Sequence, residues 1–473
     1  MIRLCVVLSF LWACSLFLVH ALSYFYLKDD FAILDVAQNQ ALCTLFTHGF
    51  FGFYRPVAFA LMKAQFTLLG WENAHGHMLI SLAFHGLNAF FLGLLARNVL
   101  NRTGAALAAS LFFLSPWAGE SVFWLSGVFD RLAATGMLLT LLFSIKALER
   151  SGPLSPVLIV LSLCSCLIAL FSKEVAVTLP ALFILLVTIR RSQGFPVLFR
   201  RTAILFLLLA SAVFFYMAVR SNVLGAFHGA YGDFFDLARK VRPHRLVHAF
   251  FLPPVSWAEG VFSQAGCVLF AVVAALALCA AVYRKPWSAW LLGVALFISL
   301  CPVMFFKMHV MNTEGGRFLY VPGIFMSILF AMGLARLIEG LGSKPWRRVA
   351  LNRVAAVLVV LFFCHALQSL DYQKRLWKCA STVSRSCIEQ FAGKIQDHRP
   401  CFIENLPSQL LQGPYILNAY SFPYYFHGQE IRVRANPIIL SFDNGCLEEV
   451  EDELDQGRHG VPQEEEIRIV FIY

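Results

Sequence analysis

The sequence predicts an all-α polytopic membrane protein with about eleven transmembrane helices and a small C-terminal α+β domain. Hydrophobic residues make up 59% of the 473-residue chain, and charged residues make up only 14%. Apolar runs of spanning length recur along most of the chain and stop near residue 370. A water-soluble protein of this size could not bury so much apolar surface, so a soluble fold is excluded.

The apolar runs are close to the roughly 20 residues that a helix needs to cross a bilayer. They lie at 3–24, 77–98, 104–119, 131–147, 154–171, 175–190, 202–220, 263–283, 287–305, 318–338 and 350–369. Segment 54–70 is interrupted by charge and proline, and we predict an interfacial or re-entrant helix there. The first run exceeds the ~7–15-residue core of a signal peptide, although Val19-His-Ala21 would suit cleavage. A retained anchor helix is therefore favoured.

Basic residues concentrate in alternate loops between the apolar runs. These loops hold Arg97 and Arg102; Lys146 and Arg150; Arg190, Arg191, Arg200 and Arg201; Arg284 and Lys285; and the bases within 336–353. By the positive-inside rule, these loops and the amino terminus are cytoplasmic, and an odd number of spans places the C-terminal region outside. This distribution accounts for the net charge of +10 without a nucleic-acid partner. The predicted location is a bacterial inner membrane with the C-terminal region in the periplasm.

Composition divides the chain into a membrane domain, residues 1–369, and a small extracytoplasmic α+β domain, residues 370–473. In the second domain we predict a helix at 373–391 and short strands at 401–405, 415–419, 431–434 and 467–472. The acidic runs 448–455 and 464–466 are predicted to be solvated. Four cysteines permit disulfides in an oxidising compartment, with the pairing open: Cys379, Cys387, Cys401 and Cys446.

Unusual polar side chains gather on the predicted outer face. Asp29 and Asp30 directly follow the first apolar run, where a carboxylate is either a solvated helix flank or a general base. Arg55 either binds phosphate or extends to the membrane interface. His85 and Asn88 lie one turn apart inside the next long run, and they are either structural hydrogen-bonding groups or part of a site.

Three further segments add charged groups at the same face, and they contain Glu120 and Asp130, Lys173 and Glu174, and Arg317 and Tyr320. Glu120 and Asp130 share a short apolar loop, where charge is costly. Lys173 either neutralises a phosphate or pairs with its acidic neighbour. Arg317 is either a membrane anchor or a phosphate ligand, with Tyr320 lining a pocket. Because nearly all these residues reach one membrane face, we interpret them as one site.

These motifs follow one another in an order that resembles the GT-C superfamily of integral-membrane glycosyltransferases. The order is Asp29-Asp30, Tyr54-Arg-Pro56, His85-x-x-Asn88, Pro116 to Glu120, Gly127-x-x-Asp130, Lys173-Glu174 and Arg317-x-x-Tyr320. The likeness is strongest to the protein O-mannosyltransferases, particularly the tetratricopeptide-bearing group and its bacterial relatives, and it covers roughly residues 1–330. Two features depart from that family. No tetratricopeptide array follows, and Val128-Phe129 stands where the family's Gly-Arg-x-Asp motif has arginine.

The resemblance implies an inverting transfer of a monosaccharide from a polyprenyl- or dolichyl-phosphate donor, with the base in Asp29-Asp30. In this mechanism Arg317, assisted by Lys173 or Arg55, stabilises the leaving phosphate. The supporting polar groups are His85, Asn88, Glu120, Asp130 and Glu174. No cofactor is required, although a divalent metal such as magnesium or manganese is compatible with this chemistry. The acceptor stays open between a glycan, a lipid and a protein.

Two other interpretations share the apolar bulk and the outer cations. A transporter or flippase of lipid-linked saccharides would require charge distributed through the bundle and repeated halves, and no internal repeat is visible. A polymerase or ligase of surface polysaccharide would use a lipid-linked oligosaccharide, and the basic outer segment 221–262 is compatible with it. A purely structural scaffold is disfavoured because buried charge is costly.

Overall fold

The computed structural model describes residues 2–149, 154–192, 199–225, 250–252, 254, 261–284, 286–304, 306, 313–339, 345–394, 401–403, 405–418, 421–426, 431–433, 438–443, 446–450 and 467–472. Its helices are α1 (Ile2–Ser23), α2 (Asp29–Asn39), α3 (Leu42–Thr47), α4 (Pro56–Leu69), α5 (Ala74–Ala96), α6 (Arg102–Leu114), α7 (Gly119–Phe123), α8 (Val128–Glu149), α9 (Pro156–Leu170), α10 (Leu179–Ser192), α11 (Phe199–Leu224), α12 (Val261–Arg284), α13 (Pro286–Leu300), α14 (Tyr320–Glu339), α15 (Pro345–Ala392) and α16 (Ser421–Phe426). Most of segment 221–262 lies outside the described residues.

The helix boundaries follow local sequence signals. Proline occupies the first helical position of α4 and α9, where its missing N–H costs nothing and its fixed φ suits the helix. The side chain of Asn73 caps α5 by accepting a hydrogen bond from the backbone N–H of Gly76, and Asn101 caps α6 in the same way. These signals fix the first residues of the helices, which the apolar pattern alone does not define.

The chain is an integral membrane protein. Six helices in the described part are long and apolar enough to cross a bilayer, by length and composition: Ala74–Ala96, Leu125–Glu149, Glu174–Ser192, Phe199–Leu224, Gln264–Tyr283 and Gly316–Arg336. Shorter apolar helices lie at Ser9–Ser23, Pro56–Leu69, Arg102–Leu114, Pro156–Leu170 and Pro286–Leu300. Each predicted apolar run therefore coincides with a helix, and segment 54–70 contains the helix α4. The total of about eleven spans and the re-entrant placement of α4 stay predictions.

One end of the bundle is held together by polar contacts between helix ends. Arg190 in α10 forms a 2.5 Å ion pair with Glu149 at the end of α8. Arg190 also donates a hydrogen bond to Asn98, just beyond α5. The C-terminal ends of α5, α8 and α10 therefore meet at one end, as the alternation of basic loops predicts.

Helices α12 and α14 pack at backbone distance through Gly333. A Cβ added at Gly333 would lie 1.8 Å from the carbonyl oxygen of Ala277, whereas a Cβ at Gly293 would meet nothing within 4 Å. We expect Gly333→Ala to destabilise the bundle by about 1–3 kcal/mol because the helices must separate. Gly293→Ala is the matched control: it gives the same gain in helix propensity without a clash, so it should raise stability by about 0.5–1 kcal/mol. Thermal unfolding of both variants in detergent measures the difference, and equal midpoints would contradict this packing.

Helix α15 runs without interruption across the predicted domain boundary at residue 370. With 48 residues it is about 70 Å long, more than twice a bilayer's hydrocarbon thickness. Its later part is tied to the chain just after α1. Ser381 and Ser384 donate hydrogen bonds to the carbonyls of Phe25 and Tyr26, at 3.2 and 2.7 Å. The helix predicted at 373–391 is thus part of a longer element that reaches the candidate site.

The described residues of the C-terminal region form two small sheets. Strands β1 (Cys401–Ile403), β3 (Ile431–Val433) and β6 (Ile467–Ile469) form a parallel sheet in the order β3-β1-β6. Strands β2 (Pro407–Leu410), β4 (Ile438–Asp443) and β5 (Cys446–Val450) form a mixed sheet in the order β2-β4-β5. Three predicted strands are therefore present. The strand predicted at 415–419 is wrong, because Tyr415 makes only an isolated bridge to Gln409.

Pairing explains the strands that the sequence did not predict. The first residues of the acidic run that begins at Glu448 belong to β5, which pairs with β4 in an antiparallel register; that this run is solvated stays a prediction. The remainder of both acidic runs lies outside the described residues. Cys379 and Cys387 carry free thiols, so no disulfide forms at these two positions. Cys401 is buried in β1, and the side chain of Cys446 lies outside the described part of the structure.

Candidate active site

A cavity of about 610 Å³ lies among the segments that the sequence analysis placed on the outer face. The structure brings five of the predicted site residues to its wall: Asp29, Arg55, Asp130, Lys173 and Arg317. Aromatic side chains complete much of the lining, namely Phe51, Phe53, Phe59, Phe129, Phe306 and Phe318. The segments that supply the charges are far apart in sequence, so this arrangement is produced by the tertiary fold.

Asp30 is buried beneath the cavity and does not line it. Its carboxylate accepts hydrogen bonds from the Tyr24 hydroxyl at 2.5 Å and from the Leu27 N–H at 2.9 Å. It also accepts bonds from the N–H and hydroxyl of Ser126, at 2.9 and 2.5 Å. Burial raises the pKa of Asp30 to about 7, and the hydrogen bonds from Ser126 and Tyr24 oppose that rise. Asp30 therefore fastens the start of α2 to the loop before α8.

Asp29 is half-buried at the first turn of α2 and lines the cavity. Among the described residues its carboxylate has no hydrogen-bond or ion-pair partner. Lys28, which precedes it, has a φ of 34°, a left-handed value that is uncommon for a residue with a Cβ. The Lys28 N–H donates a 2.9 Å hydrogen bond to the carbonyl of Ile416, which holds this backbone conformation. The unfavourable backbone conformation of Lys28 therefore occurs at the point where the chain places Asp29 at the cavity.

Two of the three cations at the cavity are held in close ion pairs. Arg55 donates two hydrogen bonds to Glu174, at 2.9 and 3.3 Å, so the guanidinium is bound bidentately. The Lys173 ammonium lies 2.5 Å from the Asp130 carboxylate, and both side chains are buried. Burial lowers the pKa of Lys173, and the charge of Asp130 opposes this effect. Lys173 and Glu174 are thus adjacent in sequence but pair with different partners.

Arg317 is the most accessible of the three cations. Its side chain is 28% exposed, compared with 7% for Lys173 and 11% for Arg55. Its Nε lies 3.6 Å from the buried carboxylate of Glu120, while its backbone N–H donates to the same carboxylate at 3.1 Å. The guanidinium lies over the Trp124 ring, 5.2 Å from its centroid. Glu120, which does not line the cavity, therefore holds Arg317 through its backbone N–H and its Nε. The Arg317 side chain itself lines the cavity.

His85, Asn88 and Tyr320 form a hydrogen-bonded group inside the helix bundle, away from the cavity wall. All three are fully buried. The Tyr320 hydroxyl lies 2.8 Å from His85 Nδ1 and 3.2 Å from Asn88 Nδ2. The sequence predicts Tyr320 at the pocket, but Tyr320 begins helix α14 and its hydroxyl bonds between helices. These contacts link α5 to α14 and α8, which is a structural role.

Several residues at the site were not singled out from the sequence. Arg131 is fully buried and donates to the carbonyls of Ser121, Trp124 and Leu125, which fixes the loop before α8. The sequence signal that could have identified Arg131 is the presence of an arginine at the start of an apolar run. Asn418 and Tyr424 reach the cavity from the C-terminal region, and no local pattern marks them.

The described residues contain no group of three histidine, cysteine, aspartate or glutamate side chains placed to hold a metal ion. The carboxylates at the cavity wall are Asp29 and Asp130, and Asp130 is paired with Lys173. The described residues therefore offer no ligand set for the magnesium or manganese ion that is compatible with the sequence.

No protein-family model matches the chain, and no curated protein sequence matches it. The structure is similar to ArnT from Cupriavidus metallidurans bound to undecaprenyl phosphate, with a TM-score of 0.48 and 14% identity over 90% of this chain and 85% of that one. It is also similar to the Archaeoglobus fulgidus oligosaccharyltransferase tethered with an acceptor peptide, with a TM-score of 0.46 and 12% identity over 89% of this chain and 63% of that one.

A third similar structure is the arabinofuranosyltransferase AftD from Mycobacteria, with a TM-score of 0.46 and 14% identity over 92% of this chain. The chain spans 31% of the length of AftD. Similarity at this level does not assign a function.

Proposed function

We propose that this chain is an inverting glycosyltransferase of the GT-C type, related in activity to the protein O-mannosyltransferases that its motifs resemble. It would move a monosaccharide from a polyprenyl-phosphate donor to an acceptor hydroxyl, at the face predicted to be extracytoplasmic. The observation that carries the proposal is the charge arrangement of the cavity. The Asp29 carboxylate has no partner among the described residues, and it shares the cavity wall with three cationic side chains.

Asp29 is assigned as the general base. As the acceptor oxygen bonds to the anomeric carbon, its proton passes to the Asp29 carboxylate, and the bond between that carbon and the phosphate oxygen breaks. The phosphate leaves with the bonding electron pair. A single displacement of this kind inverts the configuration and needs no carboxylate nucleophile. Asp130 and Glu174 are paired with cations, which agrees with one free carboxylate acting alone.

Arg317 is assigned as the principal ligand of the leaving phosphate. Its guanidinium is the most exposed of the three, and its ion pair with Glu120 is longer than the pairs formed by Lys173 and Arg55. A guanidinium can donate two parallel hydrogen bonds to phosphate oxygens. Lys173 and Arg55 add positive potential at the same wall. The phenylalanine side chains offer an apolar surface to the first isoprene units of the donor.

A transfer assay on purified protein in nanodiscs tests the assignment of Arg317. With radiolabelled undecaprenyl-phosphate sugars, we expect Arg317→Ala to lower turnover by about 10²–10³-fold, as for other preorganised anion ligands. Arg375→Ala is the matched control, because Arg375 is half-exposed on α15 and pairs with Asp371 at 3.3 Å away from the cavity. Equal turnover in the two variants would contradict the role of Arg317.

The products distinguish the proposed reaction from the two other interpretations. A transferase releases free undecaprenyl phosphate as it forms a glycoside. A transporter would move the labelled donor across the membrane without cleaving it. A polymerase or ligase would act only on oligosaccharide donors. Release of undecaprenyl phosphate from a monosaccharide donor, lost in Asp29→Asn, is the result that supports the proposal.

A further inference from the structure

The cavity wall has two chemically different parts. Lys173 and Arg317 both lie over the Phe318 ring, at 5.4 and 5.2 Å from its centroid, and Arg55 lies over Phe129. The cations therefore share one part of the wall. The other part is uncharged and comes from the C-terminal region: Asn418 and Tyr424, which the proposed mechanism does not use, line the same cavity as Asp29.

The C-terminal segment that comprises residues 412–418 and 421–426 is in contact with both sides of the cavity. Beside Asp29, Ile416 accepts the Lys28 N–H, and the Lys28 ammonium lies 4.2 Å from the centroid of the Tyr415 ring. Before α14, the Thr313 N–H donates a 3.1 Å hydrogen bond to the carbonyl of Gln412. The cavity wall would therefore be incomplete without this segment.

Helix α16 is held against α2 and against the turn after α4 by aromatic contacts. The Tyr425 ring lies 5.3 Å from Trp71 and 6.0 Å from Phe31, with both pairs close to perpendicular. These contacts support the neighbouring residue, Tyr424, at the cavity wall. The second wall residue, Asn418, precedes α16 and accepts a 3.0 Å hydrogen bond from the Ser421 hydroxyl through its Oδ1.

Asn418 and Tyr424 offer uncharged recognition chemistry. No hydrogen bond to the Asn418 Nδ2 is seen among the described residues, so its two N–H groups are available to a ligand. A tyrosine ring presents an apolar face together with a polar end. A pyranose ring has matching features, since its hydroxyls accept hydrogen bonds and its C–H groups pack on an aromatic face.

We propose that Asn418 and Tyr424 form the acceptor subsite and bind an uncharged sugar ring whose hydroxyl reaches Asp29. This inference rests on the proposed glycosyl transfer and adds the class of acceptor to it. An extended peptide would be expected to pair with an exposed strand edge, and no described strand lines the cavity. Asn418 and Tyr424 carry no positive charge, so they do not match a phosphorylated acceptor.

Ligand binding to the two parts of the cavity can be measured separately. Saturation-transfer NMR on the protein in nanodiscs would use methyl α-mannoside and methyl β-glucoside as acceptor probes, and undecaprenyl phosphate as the donor-side probe. The variants are Asn418→Asp and Tyr424→Leu. Asn418→Asp keeps the oxygen that accepts from Ser421 and removes the N–H donors. Leu411→Ala, half-exposed in the same region, is the matched control.

We expect glycoside binding to weaken about tenfold in each subsite variant. Undecaprenyl phosphate binding should be unchanged in Tyr424→Leu, which adds no charge to the cavity. Arg317→Ala should give the opposite pattern. Equal glycoside binding in wild type and in both subsite variants would overturn the inference. It would also be overturned if the protein bound a serine- or threonine-containing peptide instead of glycosides and if that binding weakened in the Asn418 and Tyr424 variants. If the wild-type protein did not bind undecaprenyl phosphate, the proposed function itself would be refuted.

Discussion

Asp29→Asn is expected to abolish glycosyl transfer while leaving the protein folded. The Asp29 carboxylate has no partner among the described residues, so the amide removes a base without breaking a hydrogen bond that the structure shows. The loss of a general base lowers turnover by about 10²–10⁴-fold. Turnover with an undecaprenyl-phosphate sugar, together with the thermal unfolding midpoint in detergent, measures both effects. Undecaprenyl phosphate should still bind, because its ligands are unchanged.

Asp30→Asn is expected to act through stability. The Asp30 carboxylate accepts from Tyr24, Leu27 and Ser126 and is fully buried. An asparagine amide places N–H donors where one oxygen now accepts, so at least one buried donor loses its partner, at a cost of about 1–3 kcal/mol. Activity should fall because the start of α2 shifts, and stability should fall with it.

Asp35→Asn is the matched control for both variants. Asp35 lies on the same helix, accepts a 2.7 Å hydrogen bond from Asn39, and does not line the cavity. We expect wild-type turnover and stability from it. The assignment of the base would fail if Asp29→Asn retained wild-type turnover. An inactive but fully stable Asp30→Asn protein would move the base to Asp30.

The helical membrane fold could be predicted because the apolar runs are a property of each segment alone. A bilayer selects about 20 consecutive apolar residues, and each predicted run coincides with a helix. The sequence did not predict that α15 continues as one helix across residue 370. The change from apolar to polar residues was interpreted as a domain boundary, but helix formation does not stop at such a change. Strand β2 pairs with β4 across about 30 residues of sequence, which no local pattern reports. Strands β4 and β5 are separated only by Asn444-Gly445, a local hairpin signal that the sequence prediction overlooked.

The sequence could nominate the site residues but could not assign their roles. Successive residues of a helix point about 100° apart, so adjacent aspartates at the start of α2 necessarily face different surroundings. Which one reaches the cavity depends on Tyr24 and Ser126, the latter 96 residues away. Spacing also placed Tyr320 beside Arg317, but Arg317 lies in a 3-10 turn that ends before α14, and Tyr320 points into the bundle.

Ion pairing across the cavity was likewise invisible in the sequence. Lys173 and Glu174 looked like partners because they are adjacent. In the structure Lys173 pairs with Asp130, and Glu174 pairs with Arg55, 119 residues away. Neighbouring residues point in different directions, so a Lys-Glu sequence is weak evidence for a Lys–Glu contact. The crossed pairing has a consequence for stability that can be measured.

Asp130→Asn is expected to destabilise the protein by about 3–5 kcal/mol, because it leaves the buried Lys173 ammonium without its counter-ion. Both side chains are nearly inaccessible, at 7% for Lys173 and 5% for Asp130. The double variant Asp130→Asn/Lys173→Met removes both charges and should recover most of the lost stability, since an uncharged pair carries no uncompensated charge. Turnover should stay low in the double variant, because one of the three cations at the phosphate wall is gone.

The Asp371–Lys374 pair provides the control, because it has a similar length of 2.6 Å but its carboxylate is 36% exposed. Solvent screens such a pair, so Asp371→Asn should cost at most about 1 kcal/mol. Reversible unfolding in mixed micelles compares the variants on one scale. If Asp130→Asn cost no more than Asp371→Asn, Lys173 would not depend on Asp130 for its charge. If the double variant regained turnover as well as stability, Lys173 would be a structural cation and Arg317 would carry the leaving phosphate with Arg55 alone.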